Sequence, residues 1–575
     1  MADLAAASGG TASGRLGPAE RAAAMLTLGR DEFDLLVIGG GATGCGAALD
    51  AASRGLRTAV VEQRDLAAGT SSRSSKLVHG GLRYLEQLQF GLVREALRER
   101  ELLLSRLAPH LVRPVSFLYP LRHRVWERPY VGAGVAIYDV LGGARGSLPR
   151  HRHLSRAAAL RLAPSLAPAA LTGGIRYFDA QMDDARLAVA IARTAAQHGA
   201  TVTTGTTVTG LLRTEGRVHG AVVRDEETGV DIPVRARAVL ACVGVWTDRL
   251  HALLGDVGPS PLRVRASKGV HVTVPRAAID STTGLILRTE RSVLFVIPWE
   301  EHWIVGTTDT PWDGDLAEPA ATAADLDYLL GQVNSVLVRP LSRADVVGVY
   351  AGLRPLVDAS EVQRDTARVS REHVVAELAP GLTAIAGGKW TTYRVMAADA
   401  VEAALAGDRL PASRTGELPL VGASDLQALR AGLPELARER RLPLDLVTAL
   451  VERYGSVAHE VLALLDERPE LATPLRGAET QVAAEVVHAC RHDGARHLDD
   501  VLDRRLRLSL VDAGVADDTA EHVAALMASA LGWDDQRHRR ELADYRARVA
   551  ASRAAAAVAI DVPAPVAVEV LPDAG

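Results

Sequence analysis

The apolar run Phe33-Asp34-Leu35-Leu36-Val37-Ile38 leads straight into Gly39-Gly40-Gly41-Ala42-Thr43-Gly44. A small-residue helical pattern follows, with Ala47, Ala48, Ala51 and Ala52, and stops at Gly55. A second apolar run, Thr58-Ala59-Val60-Val61, ends on Glu62. Strand, glycine turn, helix and strand within about 30 residues form one βαβ unit carrying a dinucleotide fingerprint. That unit demands a parallel sheet with a helix crossing over it, so the chain must contain an α/β domain. The glycines serve different ends. Gly39 permits the tight turn, Gly41 lets backbone approach a pyrophosphate, and Gly44 lets helix and strand pack closely. Thr43 stands at the helix start, where free N–H groups favour anions. Glu62 is placed to accept ribose hydroxyls.

Behind this unit, residues 85–108 read as one long charged helix, more a solvated face than a binding surface. Asp184–His198 reads as an amphipathic helix, followed by strand Thr201–Thr204 and a further apolar strand over 238–244. Residues 260–355 alternate apolar and polar positions between turn signals, which predicts antiparallel strands at Gly269–Val274, Gly284–Leu287, Val293–Pro298 and Trp303–Gly306. Leu382–Ile385 is another strand, then comes the Gly387-Gly388 turn and a helix from Thr392 to Leu405. From about 415 to 548 the pattern is purely helical. The expected fold is α/β with two domains, a Rossmann-like domain and an antiparallel-β domain, followed by a C-terminal all-α domain. Boundaries are 31–110, 175–250 and 371–408 for the first, 111–174 and 251–370 for the second, and 415–548 for the third. Residues 1–30 read as a mobile leader and 549–575 as a disordered tail.

Composition excludes several classes. Net charge is −5, which gives no pull toward nucleic acid. Cys45, Cys242 and Cys490 are scattered, with no disulfide framework and no metal spacing, as suits a reducing cytoplasm. No apolar run approaches the ~20 residues that span a bilayer. Of 65 basic residues only three are lysine: Lys76, Lys268 and Lys389. A lysine persists under such an arginine bias most readily where a planar fork cannot replace a compact ammonium. At least two of the three are expected at a site.

The fingerprint alone leaves FAD and NAD open. Leu240-Ala241-Cys242-Val243-Gly244 and Ala386-Gly387-Gly388-Lys389 resemble the second and the closing glycine elements of FAD-binding two-domain oxidoreductases, which favours FAD. Longer stretches carry a closer resemblance. They are Gly69-Thr70-Ser71-Ser72-Arg73-Ser74-Ser75-Lys76-Leu77-Val78-His79-Gly80-Gly81-Leu82-Arg83-Tyr84, Lys268-Gly269-Val270-His271, Gly352-Leu353-Arg354-Pro355 and Gly387-Gly388-Lys389-Trp390-Thr391-Thr392. With Leu498-Asp499-Asp500-Val501-Leu502-Asp503-Arg504-Arg505, they resemble the FAD-dependent glycerol-3-phosphate dehydrogenases over about residues 30–548. Trp390 stands where that family more often has an aliphatic residue.

The resemblance implies oxidation of sn-glycerol 3-phosphate to dihydroxyacetone phosphate, with hydride passing from C2 to FAD and electrons onward to a membrane quinone. It implies Arg354, Arg371, Arg83, Tyr84, Lys268 and Thr392 at the substrate. It also implies Thr70, Ser71, Ser72, Ser75, Lys76, His79, Gly80, Gly81, Val208, Gly244, Gly388, Lys389 and Thr391 at the flavin. Arginine suits a phosphate clamp because its fork meets two oxygens at once. His271 is the first candidate base, since imidazole transfers protons near neutrality. Lys389 is the alternative, able to stabilise a developing alkoxide. The basic and aromatic stretch Arg122–Tyr130 is either a plain surface loop or a rest for anionic headgroups. A homodimer bound peripherally to the inner face of the cytoplasmic membrane is expected, with no metal and no nucleic-acid partner. The readings to be weighed against it are an O2-using oxidase of the same substrate, an amine or amino-acid oxidase of the same fold, and a flavin-binding sensor without turnover.

Overall fold

The computed structural model describes residues 14–557 apart from 87, 124, 144–145, 256–259, 261, 290–292 and 358–372. The fingerprint strand Glu32–Ile38 lies in the middle of an eight-stranded sheet. Parallel pairings join it to Thr58–Val61 and Asp231–Ala241, and those in turn to Thr201–Thr203 and Leu382–Gly387. His373–Ala379 closes one edge antiparallel, and the hairpin Thr206–Thr214/Arg217–Asp225 attaches to Asp231–Ala241. The central strand is apolar from Leu35 to Ile38, where both faces are covered. Leu35 and Val37 face the helices Ala42–Ser53, Asp184–Gln197 and Tyr393–Ala404. Leu36 and Ile38 face the other layer.

The second sheet has ten strands and is mainly antiparallel, with one parallel pairing between Gly284–Arg288 and Val112–Leu121. Its strand Val264–Pro275 pairs with Gly348–Val357 so that Ser267 faces Arg354, Gly269 faces Gly352, and His271 faces Tyr350. Val270, Val272 and Val274 alternate with these and are fully buried in the domain core. His271 and Gly269 therefore lie on the opposite face, toward the first domain. The four antiparallel strands predicted for residues 269–306 are all present, three a residue longer than predicted and the first extended to Val264–Pro275.

The structure corrects five expectations. Residues 18–30 are a helix, Pro18–Arg30, and not a leader. Its alanines favour helix and Pro18 opens it at the first turn. Leu28 is fully buried, and Arg21 bonds Asp225 at 2.6 Å. Residues 549–557 continue the last helix, Asp535–Ala557, and are not a disordered tail. Strand Gly173–Met182 pairs along Val112–Leu121, so residues 175–182 belong to the second sheet and not to the first domain. The expected helix over 85–108 is broken: Arg83–Glu86 ends near Leu88, whose φ is +58°, and Phe90–Leu102 begins anew. Its face is not simply solvated, since Glu99 and Arg100 are buried against Arg394 and Asp179. The C-terminal domain carries helices as expected, but also a two-stranded sheet of Pro474–Leu475 and Ala478–Val482.

Candidate active site

The glycine turn is built as the fingerprint requires. Gly39 has φ +106°, and a Cβ there would lie 2.6 Å from the Cys242 carbonyl oxygen. A Cβ on Gly44 would lie 1.9 Å from the Gly39 oxygen, so only glycine fits. A cavity of about 380 Å3 runs along this turn. Gly39, Gly41, Thr43, Glu62, Thr70 and Ser71 line one stretch, and Val208, Gly244, Gly388 and Lys389 line others. Glu62 accepts from Gly40 N at 2.6 Å and Arg64 N at 2.9 Å, and burial raises its pKa. Ser71 Oγ accepts from Ala42 N at 2.9 Å, which leaves the neighbouring N–H groups of the helix start toward the cavity. A glycine-lined trough, a helix N-terminus and a carboxylate at the second strand's end together fit a dinucleotide.

The far end of the cavity is closed by the late turn. Gly387 and Gly388 both have left-handed φ, +79° and +80°. Lys389 follows and lays its ammonium 3.3 Å from the centroid of the Tyr84 ring. Tyr84 and Gly81 belong to a second cavity of about 540 Å3, so Lys389 and Tyr84 stand where the two meet. Gly81 has φ +74° and its missing Cβ would press on the Tyr84 ring at 2.5 Å. Gly80 N donates to Tyr138 Oη at 2.7 Å, and Tyr138 donates to Asp179, which Arg100 also binds. His79 N donates to Thr391 Oγ1 at 3.2 Å, joining the two glycine turns. Burial, then Lys389 and Arg100, lowers the His79 pKa to about 4. Thr392 is buried, its hydroxyl donating to the Lys389 carbonyl at 3.4 Å.

Arg354 spreads its guanidinium over Gly269. It donates to Asp309 Oδ1 at 3.1 Å, Thr307 Oγ1 at 3.2 Å and the Thr308 carbonyl at 3.1 Å. Two residues along the same strand face, His271 is buried. Its Nε2 is 2.8 Å from Ser75 Oγ and its ring stacks on Tyr350 at 4.7 Å. Burial first, then Arg354 and Lys76, pushes its pKa well below the ordinary histidine value. His271 is therefore neutral at physiological pH.

Several residues expected here stand elsewhere. Lys268, expected at the substrate, points to the other face, where Asp325 binds it at 2.7 Å. Lys76, expected at the flavin, is fully buried against Asp184 at 2.9 Å. Only Lys389 of the three lysines lines the first cavity. Ser72 and Ser75 also turn away from it, Ser72 to the Gly69 carbonyl and Ser75 to His271. Arg83 opens the short helix Arg83–Glu86, while Arg371 lies outside the described residues. Sequence reasoning missed Tyr350, although Tyr350, Gly352 and Arg354 alternate on one strand face. It also missed Asp309, for which the sequence carries no separate signal.

Comparison with known proteins gives the frame. A family model described as FAD dependent oxidoreductase matches residues 34–394, and one described as the C-terminal domain of alpha-glycerophosphate oxidase matches 413–538. Glycerol-3-phosphate dehydrogenase 2 of Mycobacterium tuberculosis is 54% identical over 538 residues, covering 93% of this chain and 91% of the relative. The mitochondrial glycerol-3-phosphate dehydrogenase of Mus musculus is 37% identical, over 91% of this chain and 74% of the relative. The solved glycerol-3-phosphate dehydrogenase of Bacillus halodurans, complexed with FAD, superposes with a TM-score of 0.77 at 28% identity, over 93% and 98% of the two chains.

Proposed function

The chain belongs to the FAD-dependent glycerol-3-phosphate dehydrogenases, and from that premise we propose that it oxidises sn-glycerol 3-phosphate to dihydroxyacetone phosphate. The observation that carries this reading is the alignment of Arg354, Gly269 and His271 on one face of two paired strands, with Lys389 at the end of the adjoining cavity. Bound FAD supplies the acceptor for the C2 hydride. The protein's own residues do the rest. Arg354, its fork held by Asp309, Thr307 and Thr308, takes the phosphate. His271 is the acceptor for the hydroxyl proton at C2. Its burial keeps the imidazole neutral, the form that can accept a proton. Lys389 steadies the oxygen as its charge grows. Tyr84 packs against that ammonium and fixes its direction.

A membrane quinone is the reading we favour for the electron acceptor. Among the described residues no helix is long and apolar enough to cross a membrane. The second cavity is lined largely by apolar side chains, Leu85, Phe90, Val131 and Ile137 among them. Tyr130 lines it and is exposed, as is the neighbouring Trp126 on which His123 stacks, and the exposed Arg288 lines it as well. Aromatic rings and basic groups around an apolar opening suit a membrane surface. The helix Glu127–Leu141 brings Tyr130, Val131 and Ile137 into this lining.

Anaerobic titration of the yellow protein with sn-glycerol 3-phosphate, using glycerol as control, tests the substrate. Bleaching by the phosphate ester alone supports it, and no bleaching discards it. Slow return of colour in air, and fast return with a soluble quinone, would distinguish dehydrogenase from oxidase.

A further inference from the structure

The C-terminal helical domain lines neither cavity of the candidate site, yet one of its arginines reaches the loop behind it. Arg507 follows the wide helical turn Asp500–Arg505 and has φ +65°, a conformation costly for any residue but glycine. Its buried guanidinium makes bonds in three directions. Nε donates to Asp183 Oδ1 at 3.1 Å, Nη1 donates to the Ser72 carbonyl at 3.1 Å, and Nη2 donates to Asp184. Asp184 is fully buried at the start of the helix Asp184–Gln197. It accepts from Ser74 N at 3.0 Å, Ser74 Oγ at 2.6 Å and Lys76 Nζ at 2.9 Å. Ser74 in turn accepts from Tyr350 Oη at its carbonyl, at 3.0 Å. The next residue, Ser75, bonds the His271 imidazole, and Tyr350 stacks on it.

We infer that Arg507 is a positioning residue for the reaction centre: through Asp184 and the Ser74–Ser75 peptide it sets the place of the His271 ring. The inference rests on the reading of His271 as proton acceptor. Two observations make the link specific. Both groups that orient the imidazole, Ser75 Oγ and the Tyr350 ring, are tied to Ser74, and Ser74 is tied to Asp184. Among the described residues His271 Nδ1 meets no hydrogen-bond partner, so no second tether competes. The charges also close on themselves, with Lys76 and Arg507 against Asp183 and Asp184. Removing one member of a buried set leaves its partner uncompensated, which shifts geometry as well as stability. The same turn grips the other end of the loop, where Arg504 and Arg505 both bind buried Asp65. The helical domain therefore acts on the chemistry by holding residues 65–76 from behind.

The test uses flavin-loaded full-length protein and the rate of anaerobic flavin reduction by sn-glycerol 3-phosphate. Arg507→Met is expected to keep its flavin, slow the reduction at saturating substrate about tenfold or more, and change the half-saturating concentration less than twofold. Arg507→Lys, which keeps the charge without the fork, is expected to recover part of the rate. Ser75→Ala breaks the last link alone and is expected to slow reduction similarly. The double variant Ser75→Ala/Arg507→Met is then expected to be no slower than the worse single variant, because both act through one path. Wild-type rates in Arg507→Met, or losses that multiply in the double variant, overturn the proposal. If Arg507→Met fails to fold, Asp183→Asn loosens one of the bonds Arg507 makes, and it must show the same loss of rate without loss of affinity. Failure of the underlying reading looks different: His271→Ala would then be reduced at the wild-type rate, whatever Arg507 does.

Discussion

A Cβ on Gly269 would lie 2.7 Å from Nη2 of Arg354. The glycine thus makes the bed on which the guanidinium lies, and the two residues act as one binding element across paired strands. Gly269→Ala should push the fork off Asp309 and Thr307, even though alanine carries no charge. Losing a charge-assisted, multidentate contact is worth roughly 1.5–3 kcal/mol, so KM for the phosphate ester should rise about 10- to 150-fold. Arg354→Ala should match or exceed this, with a smaller change in kcat. Steady-state kinetics of both variants would check it, and an unchanged KM in Arg354→Ala would sink the clamp.

Lys389→Met should leave flavin bound and lower kcat about 10²- to 10³-fold, the usual cost of deleting one preorganised group at a developing oxyanion. Lys389→Arg should not restore it, because the site offers an ammonium's space against the Tyr84 ring. Stopped-flow reduction rates would show this, and near-normal rates in Lys389→Met would remove the residue from the chemistry.

Gly44→Ala should abolish flavin retention. The added methyl collides with the Gly39 carbonyl, a backbone atom that cannot move without opening the turn. Absorbance of the purified variant in the visible range reads the outcome directly. A fully yellow Gly44→Ala protein would contradict the packing described.

Leu28→Ala should destabilise the fold by about 2–5 kcal/mol, the range for deleting a buried leucine. Leu28 lies in the core between the helix Pro18–Arg30 and the first sheet. Urea unfolding followed by flavin fluorescence would give the shift in midpoint. A mobile leader would give none.

Acid should weaken the fold through its buried histidines, against an opposing carboxyl, Asp500, which burial beside Asp65 and Asp499 raises to about 6. His110 is held neutral by burial, its pKa lowered to about 3, and burial with His488 alongside lowers His492 to about 4. In the unfolded chain both return to about 6.5. The unfolded state therefore binds more protons between about pH 6.5 and 4, and stability falls as pH drops through that window. His497, raised to about 9 by Glu541, Asp500 and their neighbours, works the opposite way, but its effect is complete below pH 6.5. Thermal midpoints at pH 6.5 and 5 should differ by several degrees, and equal midpoints would refute the sign.

The fingerprint was legible because its requirements are local: a turn, a helix start, a strand end. The parallel core of the first sheet and four strands of the second were legible because apolar runs and alternation report which faces are buried, whereas the long pair Val112–Leu121 and Gly173–Met182 was not. The lysines mislead for a physical reason. A scarce ammonium marks a tight place, but Lys76 and Lys268 are tight because each is sealed against one aspartate, not because a ligand meets it. Periodicity could not reveal that Asp184 and Asp325 supply those partners from over 50 residues away. The helix Pro18–Arg30 escapes a sequence reading because its alanines look like low complexity until Arg21 meets Asp225.

The sealing of two lysines has a practical consequence. Lys76 is fully enclosed and Lys268 is 5% exposed, and the nitrogen of Lys389 is covered too, although that residue lines a cavity. Amine-directed reagents used gently on the folded chain should therefore leave all three lysine side chains unmodified. A lysine adduct then becomes a counter for opening of the fold: peptide mapping should return none from the native protein and all three after denaturation.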